Sequence, residues 1–173
     1  FMLGIYHQTP YNWRSDEVEL MCELANRVWT KLERTRVEII IRRSADRDAF
    51  LVTLNDALRP LNDSIEIQAT ANRVLGEHLG VNRVTYFEVR GTEYVVEQDY
   101  VNGAEPLRGG YLIESFGAEL LDAFRQGHTV AASDVTADPY LSPAQKSTYA
   151  AIQNAAHIGV PLVKQGEFVA GLA

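Results

Sequence analysis

The sequence predicts an α+β domain, a mostly antiparallel sheet with helices among its strands, preceded by one long helix. Three observations carry this. Residues 15 to 59 contain neither Gly nor Pro and repeat apolar residues at spacings of three and four. From Arg47 onward, helical periods give way to short runs of period two, in the order helix, two strands, helix, strand, short helix, two strands. Two apolar runs near the end, Ile158 to Val163 and Phe168 to Ala173, flank Lys164-Gln165-Gly166-Glu167. A short polar gap containing Gly between two such runs is a hairpin signal, because Gly supplies the positive φ of a tight connection.

Taken in order, residues 1 to 8 have the strand-like form Phe-x-x-Gly-aliphatic-x that recurs at 168 to 173. Thr9 to Arg14 is a turn-rich connection. Ser15 is the expected N-cap of the long helix, with Asp16 and Glu17 placing negative charge in its first turn. Val18, Met21, Ala25, Val28, Leu32, Thr35 and Ile39 then form an a/d seam, with charged residues off it. Such a seam packs either within its own domain or against the same helix of a second chain. The length and the unbroken charge decoration favour pairing.

The helical pattern runs on to Pro60, where a break is expected. Asp63 or Ser64 recaps a helix ending at Gly80. Val84 to Val89 is a strand with Val84, Tyr86 and Glu88 on one face; after a turn at Arg90-Gly91-Thr92-Glu93, Tyr94 to Val101 returns. Asn102 to Gly110 is a loop, Ser115 caps a helix closed by Gly127, and His128 to Val135 is a short strand. An irregular segment leads to Ser142-Pro143, an N-cap and N1 pair that starts a helix through Ile152. In the final hairpin both strands are apolar on both faces, so both faces are expected to be covered.

Composition narrows the function. The 173 residues are 46% hydrophobic and 23% charged, ordinary for a domain with a core, and carry a formal net charge of −7, which argues against nucleic acid as the main partner. No apolar run approaches the length of a spanning helix, so membrane insertion is not expected. The one cysteine, Cys22, suits a reducing, cytoplasmic setting. The four histidines stand far apart, and no Walker loop, Gly-x-Ser-x-Gly or His-Glu-x-x-His occurs, so neither a local metal site nor an enzyme is expected in this chain.

Two stretches carry a family resemblance. Asp134-Val-Thr-Ala-Asp138-Pro-Tyr140, with Ala156-His-Ile-Gly159-Val-Pro161-Leu-Val and Gly166-Glu-Phe-Val-Ala-Gly171, resembles the second half of a GAF domain. The run from Ala49 to Gln68 is similar to the helical entry of GAF modules in bacterial multi-sensor (two-component) histidine kinases. The resemblance covers residues 47 to 173. Residues 1 to 14 resemble the closing strand and loop of the same fold, and 15 to 46 a signalling helix. That N-terminal strand either ends a preceding module or completes the sheet left short at Ala173, in cis or by exchange, completion being the favoured reading.

The resemblance implies a PAS-related sheet with entry and exit helices on one face and a ligand pocket on the other. It places Tyr86, Glu88, Phe116, Asp134, Tyr140, Tyr149, His157 and Gly159 at that pocket. Residues 134 to 163 contain no cysteine, so covalent attachment of a linear tetrapyrrole is not expected, and no other cofactor is identified. A methionine sulfoxide reductase of this fold needs redox cysteines that the chain lacks. The implied function is a sensory module that binds a small effector or partner and relays through dimeric helices; the alternative is a ligand-free dimerisation module.

Overall fold

The computed structural model describes residues 2–173. Phe1, the first residue of the expected strand at 1–8, lies outside the described residues. The chain divides into two compact units, one running to Val52 and the other Thr53–Ala173. In the first, residues 2–14 form no strand, so the strand expected there is a correction. Its segment is held instead by local contacts: Tyr11 stacks on His7 at 4.9 Å, meets Trp13 edge-on at 4.7 Å and donates its hydroxyl to Glu17.

Helix α1 (Ser15–Leu58) is continuous for 44 residues, about 66 Å at 1.5 Å per residue. Its N-cap is Arg14 rather than Ser15: the Arg14 carbonyl accepts from Val18, and the Glu17 carboxylate reaches back to the Arg14 N–H at 2.9 Å. Glu17 thus supplies half a capping box, and its negative charge suits the helix N-terminus. No residue of α1 is buried. The expected seam lies open, with Val18 51% and Ile39 46% exposed, and Ile40 and Ile41 add apolar surface off that seam.

In the second unit, Asp63 caps α2 (Ser64–Leu79) by accepting from the N–H groups of Ile65 and Glu66, and Gly80 closes it at φ +64°. Strand β1 (Arg83–Arg90) follows. The expected return strand is split at Glu97-Gln98 into β2 (Glu93–Val96) and β3 (Asp99–Val101), both antiparallel to β1. The split is held from behind, where the fully buried Asn72 of α2 donates to the Gln98 carbonyl at 2.9 Å. A further strand, β4 (Gly109–Leu112), starts within the end of the expected loop 102–110 and pairs with β2. The loop before it is pinned by the buried Asp99 carboxylate, which accepts from the Leu107 N–H at 2.6 Å and from Arg108 Nε at 3.1 Å.

A 3-10 turn (Ile113–Phe116) contains Ser115, and α3 (Ala118–Arg125) starts behind Gly117, so Ser115 caps nothing. The short strand β5 (Val130–Ala132) is followed by α4 (Pro143–Ala151), whose N-terminus is the expected one. Ser142 accepts from Gln145 N–H while the Gln145 side chain accepts from Ser142 N–H, a complete capping box with Pro at N1. Strands β6 (His157–Lys164) and β7 (Glu167–Leu172) form the predicted hairpin; Gln165 and Gly166, at φ +52° and +82°, make its turn.

The sheet runs β4-β2-β1-β7-β6-β5, with β3 also on β1. Strand β7 is paired on both sides, to β1 and β6, and Ala173 exchanges two backbone hydrogen bonds with Thr85. Within this chain β7 therefore has partners on both sides, and residues 2–8 take no part in its ladder. Helix α2 covers one face at Val84 and its cross-strand partner Tyr100. Beyond it Ile158, Val160 and Leu162 are 61%, 44% and 41% exposed, so among the described residues that part of the hairpin is not covered as expected.

The core lies on the other face, under the 3-10 turn, α3 and α4. It is dominated by Phe87, Tyr94, Phe116, Phe124 and Tyr149, with Val135 sealed in at the base of the irregular segment. Two strand glycines let the rings sit against the sheet. A Cβ at Gly171 would lie 2.4 Å from Phe87 Cζ, and one at Gly159 would lie 2.5 Å from Phe124 Cζ. We expect Gly171→Ala to cost about 1–3 kcal/mol, the range for overpacking a filled core. The cost should shrink when Phe87 is shortened to Leu, because the clash is with the ring. Urea unfolding of the two single variants and the double variant measures this; additive costs would place the strain elsewhere.

Candidate functional site

The core leaves a cavity of about 270 Å³ on the α3 and α4 side of the sheet. One wall is Phe116 and Leu120, from the 3-10 turn and α3. The floor is Val130, Ala131 and Ala132 of β5, beside His157 at the start of β6. The irregular segment supplies Asp138, Tyr140 and Leu141, and Tyr149 of α4 closes the far side, while Glu119 stands at the mouth. Pairing of Ala132 with His157 brings β5 and β6 together there. Capping at Ser142 starts α4 where Tyr149, two turns later, can enter the core.

Four expected site residues therefore converge: Phe116, Tyr140, Tyr149 and His157. Four do not. Tyr86 and Glu88 alternate with Phe87, and since Phe87 faces the core they lie on the opposite, α2-covered face, where Glu88 pairs with Arg90 at 3.0 Å. Gly159 underlies Phe124 and is buried, a packing glycine. Asp134 is spent on its own turn, accepting from Thr136 N–H, Thr136 hydroxyl and Ala137 N–H; these bonds, the hydroxyl first, hold its carboxyl below the ordinary range. Asp138, Glu119, Leu120, Leu141 and the β5 residues were missed. Asp138 carried a signal: Asp-Pro-Tyr in an irregular segment is an Asx-turn sequence, and its carboxylate accepts the Tyr140 N–H at 2.9 Å.

The polar groups are unevenly satisfied. The Tyr149 ring stacks on His157, with centroids 5.1 Å apart and planes 13° apart, and its hydroxyl reaches the Phe116 carbonyl at 3.4 Å. His157 Nδ1 is buried and has no hydrogen-bond partner. Burial pushes His157 below the ordinary histidine range, the Asp138 charge opposing. Burial first, and the Asp138 charge second, push Tyr149 up to about 12. Near neutral pH the imidazole and the phenol are therefore both uncharged, beside the half-buried Asp138. Apolar and aromatic walls with a few polar atoms are the usual composition of small-molecule sites. Among the described residues, no group of three or more His, Cys, Asp or Glu is placed to hold a metal ion. No helix among them is long and apolar enough to cross a membrane.

No family model matches the chain, and no curated protein sequence matches it. Solved structures do match. The GAF domain of a cyanobacterial phytochrome with bound phycocyanobilin is 14% identical at a TM-score of 0.61, over 72% of this chain and 76% of that one. JSC1_58120g3, in its far-red absorbing dark state with bound biliverdin IXa, is 13% identical at 0.62, over 71% and 80%. The free methionine-R-sulfoxide reductase of Neisseria meningitidis, in complex with its substrate, is 21% identical at 0.53, over 70% and 68%. The chain has the GAF fold, a central antiparallel sheet flanked by helices with a long helix at its N-terminus.

The electrostatics of His157 give a direct expectation. Its folded pKa is depressed, so the unfolded chain binds the extra proton first, and stability falls as pH drops below about 6.5 until the folded group also titrates. His157→Gln should flatten that part of the stability profile. Asp138→Asn should move the His157 midpoint further down, since Asp138 opposes the burial effect. Imidazole proton NMR from pH 4 to 8 reads both; an unchanged midpoint in the Asn variant would show that the two groups are not coupled.

Proposed function

We propose that the chain is a sensory module of a bacterial signal-transduction protein, of the sensor histidine kinase type, whose cavity binds a small effector. The observation that carries this is the cavity itself: Phe116, Leu120, Leu141, Tyr149 and His157 give it apolar and aromatic walls, and Asp138 gives it a charged group, the mixture small-ligand sites use. In support, the matched phytochrome GAF domain and JSC1_58120g3 hold bound chromophores, and the matched reductase holds its substrate.

In this reading the chain is regulatory, non-catalytic in itself, and works without a covalent cofactor. Supporting that, the Thr53–Ala173 unit contains no cysteine, and Cys22 is exposed on α1 in the other unit. The cavity is also slightly below the roughly 300–1,000 Å³ of sites for drug-sized ligands, small for a linear tetrapyrrole. The relay is a homodimer through α1, pairing at Val18, Met21, Ala25, Val28, Leu32, Thr35 and Ile39. Its support is that none of the helix is buried in the single chain, leaving an apolar stripe that a second copy would cover. Occupancy of the cavity would bias two arrangements of the paired helices. The setting in this reading is the cytoplasm.

Two measurements test it. Native mass spectrometry of the freshly purified protein should show a dimer with a reproducible extra mass that is lost on denaturation. A clean dimer with no adduct would favour a ligand-free dimerisation module instead. Leu32→Asp and Ile39→Asp should each convert the dimer to a monomer by light scattering, with the far-UV spectrum of the sheet domain unchanged. Dimers persisting in both variants would sink the seam.

A further inference from the structure

The charges and rings around the cavity are all of one electrostatic kind. Asp138 is half-buried within it and Glu119 stands at its mouth, and no Lys or Arg is among the described residues that line it. The nearby Lys146 is committed elsewhere, donating to the Thr136 carbonyl at 2.8 Å. Phe116, Tyr140 and Tyr149 add aromatic lining and no positive charge, and aromatic rings are compatible with a bound cation. His157 also lines the cavity and, being neutral, adds no positive charge to it. A carboxylate, phosphate or sulfate in this cavity would meet repulsion from both carboxylates with no cation to offset it.

Resting on the sensor reading above, we propose that the effector is a compact organic ammonium ion, a primary or secondary amine on an aromatic or branched aliphatic body. Its charge is met by Asp138 and Glu119, and its body lies against the aromatic and aliphatic lining, Phe116, Leu120, Val130 and Leu141. Size follows from volume: about 270 Å³ equals roughly nine waters at ~30 Å³ each, so the body is about one ring or one branched chain. Nucleotides and linear tetrapyrroles fall outside this class on size, and organic acids on charge.

Three probes of matched size separate charge from shape: benzylamine, benzyl alcohol and benzoate, each titrated into the wild-type chain while the His157 imidazole resonances are followed by NMR. Benzylamine should perturb His157 and bind at least ~10-fold more tightly than the other two at low salt. Raising salt from about 20 mM to about 0.5 M should weaken benzylamine alone, because screening acts on its charge. Asp138→Asn, which keeps an acceptor for the Tyr140 N–H, should remove most of the preference. Glu119→Gln, on the exposed side of α3, provides a second variant should the first fail to fold. Benzyl alcohol or benzoate shifting His157 as tightly as benzylamine would overturn the ammonium class and leave the sensor reading standing. So would a preference that survives both variants. No shift with any probe at about 10 mM would overturn the ammonium proposal and count against the cavity as an effector site.

Discussion

How closely two aromatic rings approach the sheet decides the shape of everything on its inner face. Phe87 lies over Gly171 and Phe124 over Gly159, each where a Cβ would stand within about 2.5 Å of the ring. From that base the rings continue: Phe168 meets Phe124 at 5.4 Å and Tyr94 at 6.1 Å, Tyr94 meets Phe116 at 5.9 Å, and Phe116 meets Tyr149 at 5.7 Å. The last contact in the series, Tyr149 on His157, is already part of the cavity wall. Edge-on and tilted ring pairs add to the burial of their area, and they fix orientation as greasy side chains do not. The cavity is thus the end of an ordered aromatic layer, and its lining is positioned by the core.

The two faces of the sheet are used differently. On the inner face strand residues meet rings and the irregular segment, and the polar groups left there are few and electrostatically one-sided. On the outer face α2 approaches so near at Gly76 that a Cβ there would stand 2.1 Å from Tyr100. Asn72, buried alongside, ties the helix to the break between β2 and β3. That break lets one region of chain pair with β1 twice, at 88–90 through β2 and at 83–85 through β3. The Asp99 clamp on Leu107 and Arg108 then turns the chain back to place β4 beside β2.

Helix α1 follows a different economy. Its ion pairs, such as Arg34 with Glu38 at 2.9 Å, are solvent-exposed and contribute little individually. Its more exposed apolar residues, among them Val18, Ile39, Ile40 and Ile41, gain little from burial while they face water. A helix this long is stabilised mainly when an apolar stripe is covered, which is the physical reason to look for a second copy along it.

Local chemistry that acts within a few residues was legible in the sequence. The Asp63 cap with Gly80, the stop at Pro60, the Ser142-Pro143 start of α4 and the Gln165-Gly166 turn each depend on one or two side chains and their own backbone, and each stands as read. The N-cap at Ser15 failed because Glu17 reached back to Arg14 instead, a choice between neighbours of similar merit. What the sequence could not decide is which face of a strand looks inward. In β1 both faces carry aromatic or apolar residues, so period two separates Tyr86 and Glu88 from Phe87 without saying which set meets the core. Only the seating of Phe87 on Gly171, 84 residues along the chain, chose. The same holds for β4 and for Asp138: a four-residue Gly-Gly-Tyr-Leu strand and a turn carboxylate have no periodic signature, and they acquire their roles from partners far away in sequence. The sequence by itself determined the caps, the turns and the order of elements, because those are settled within a turn of helix or hairpin. The tertiary structure decided the sheet order, the inward face and the composition of the cavity, because those depend on long-range packing that no local pattern records.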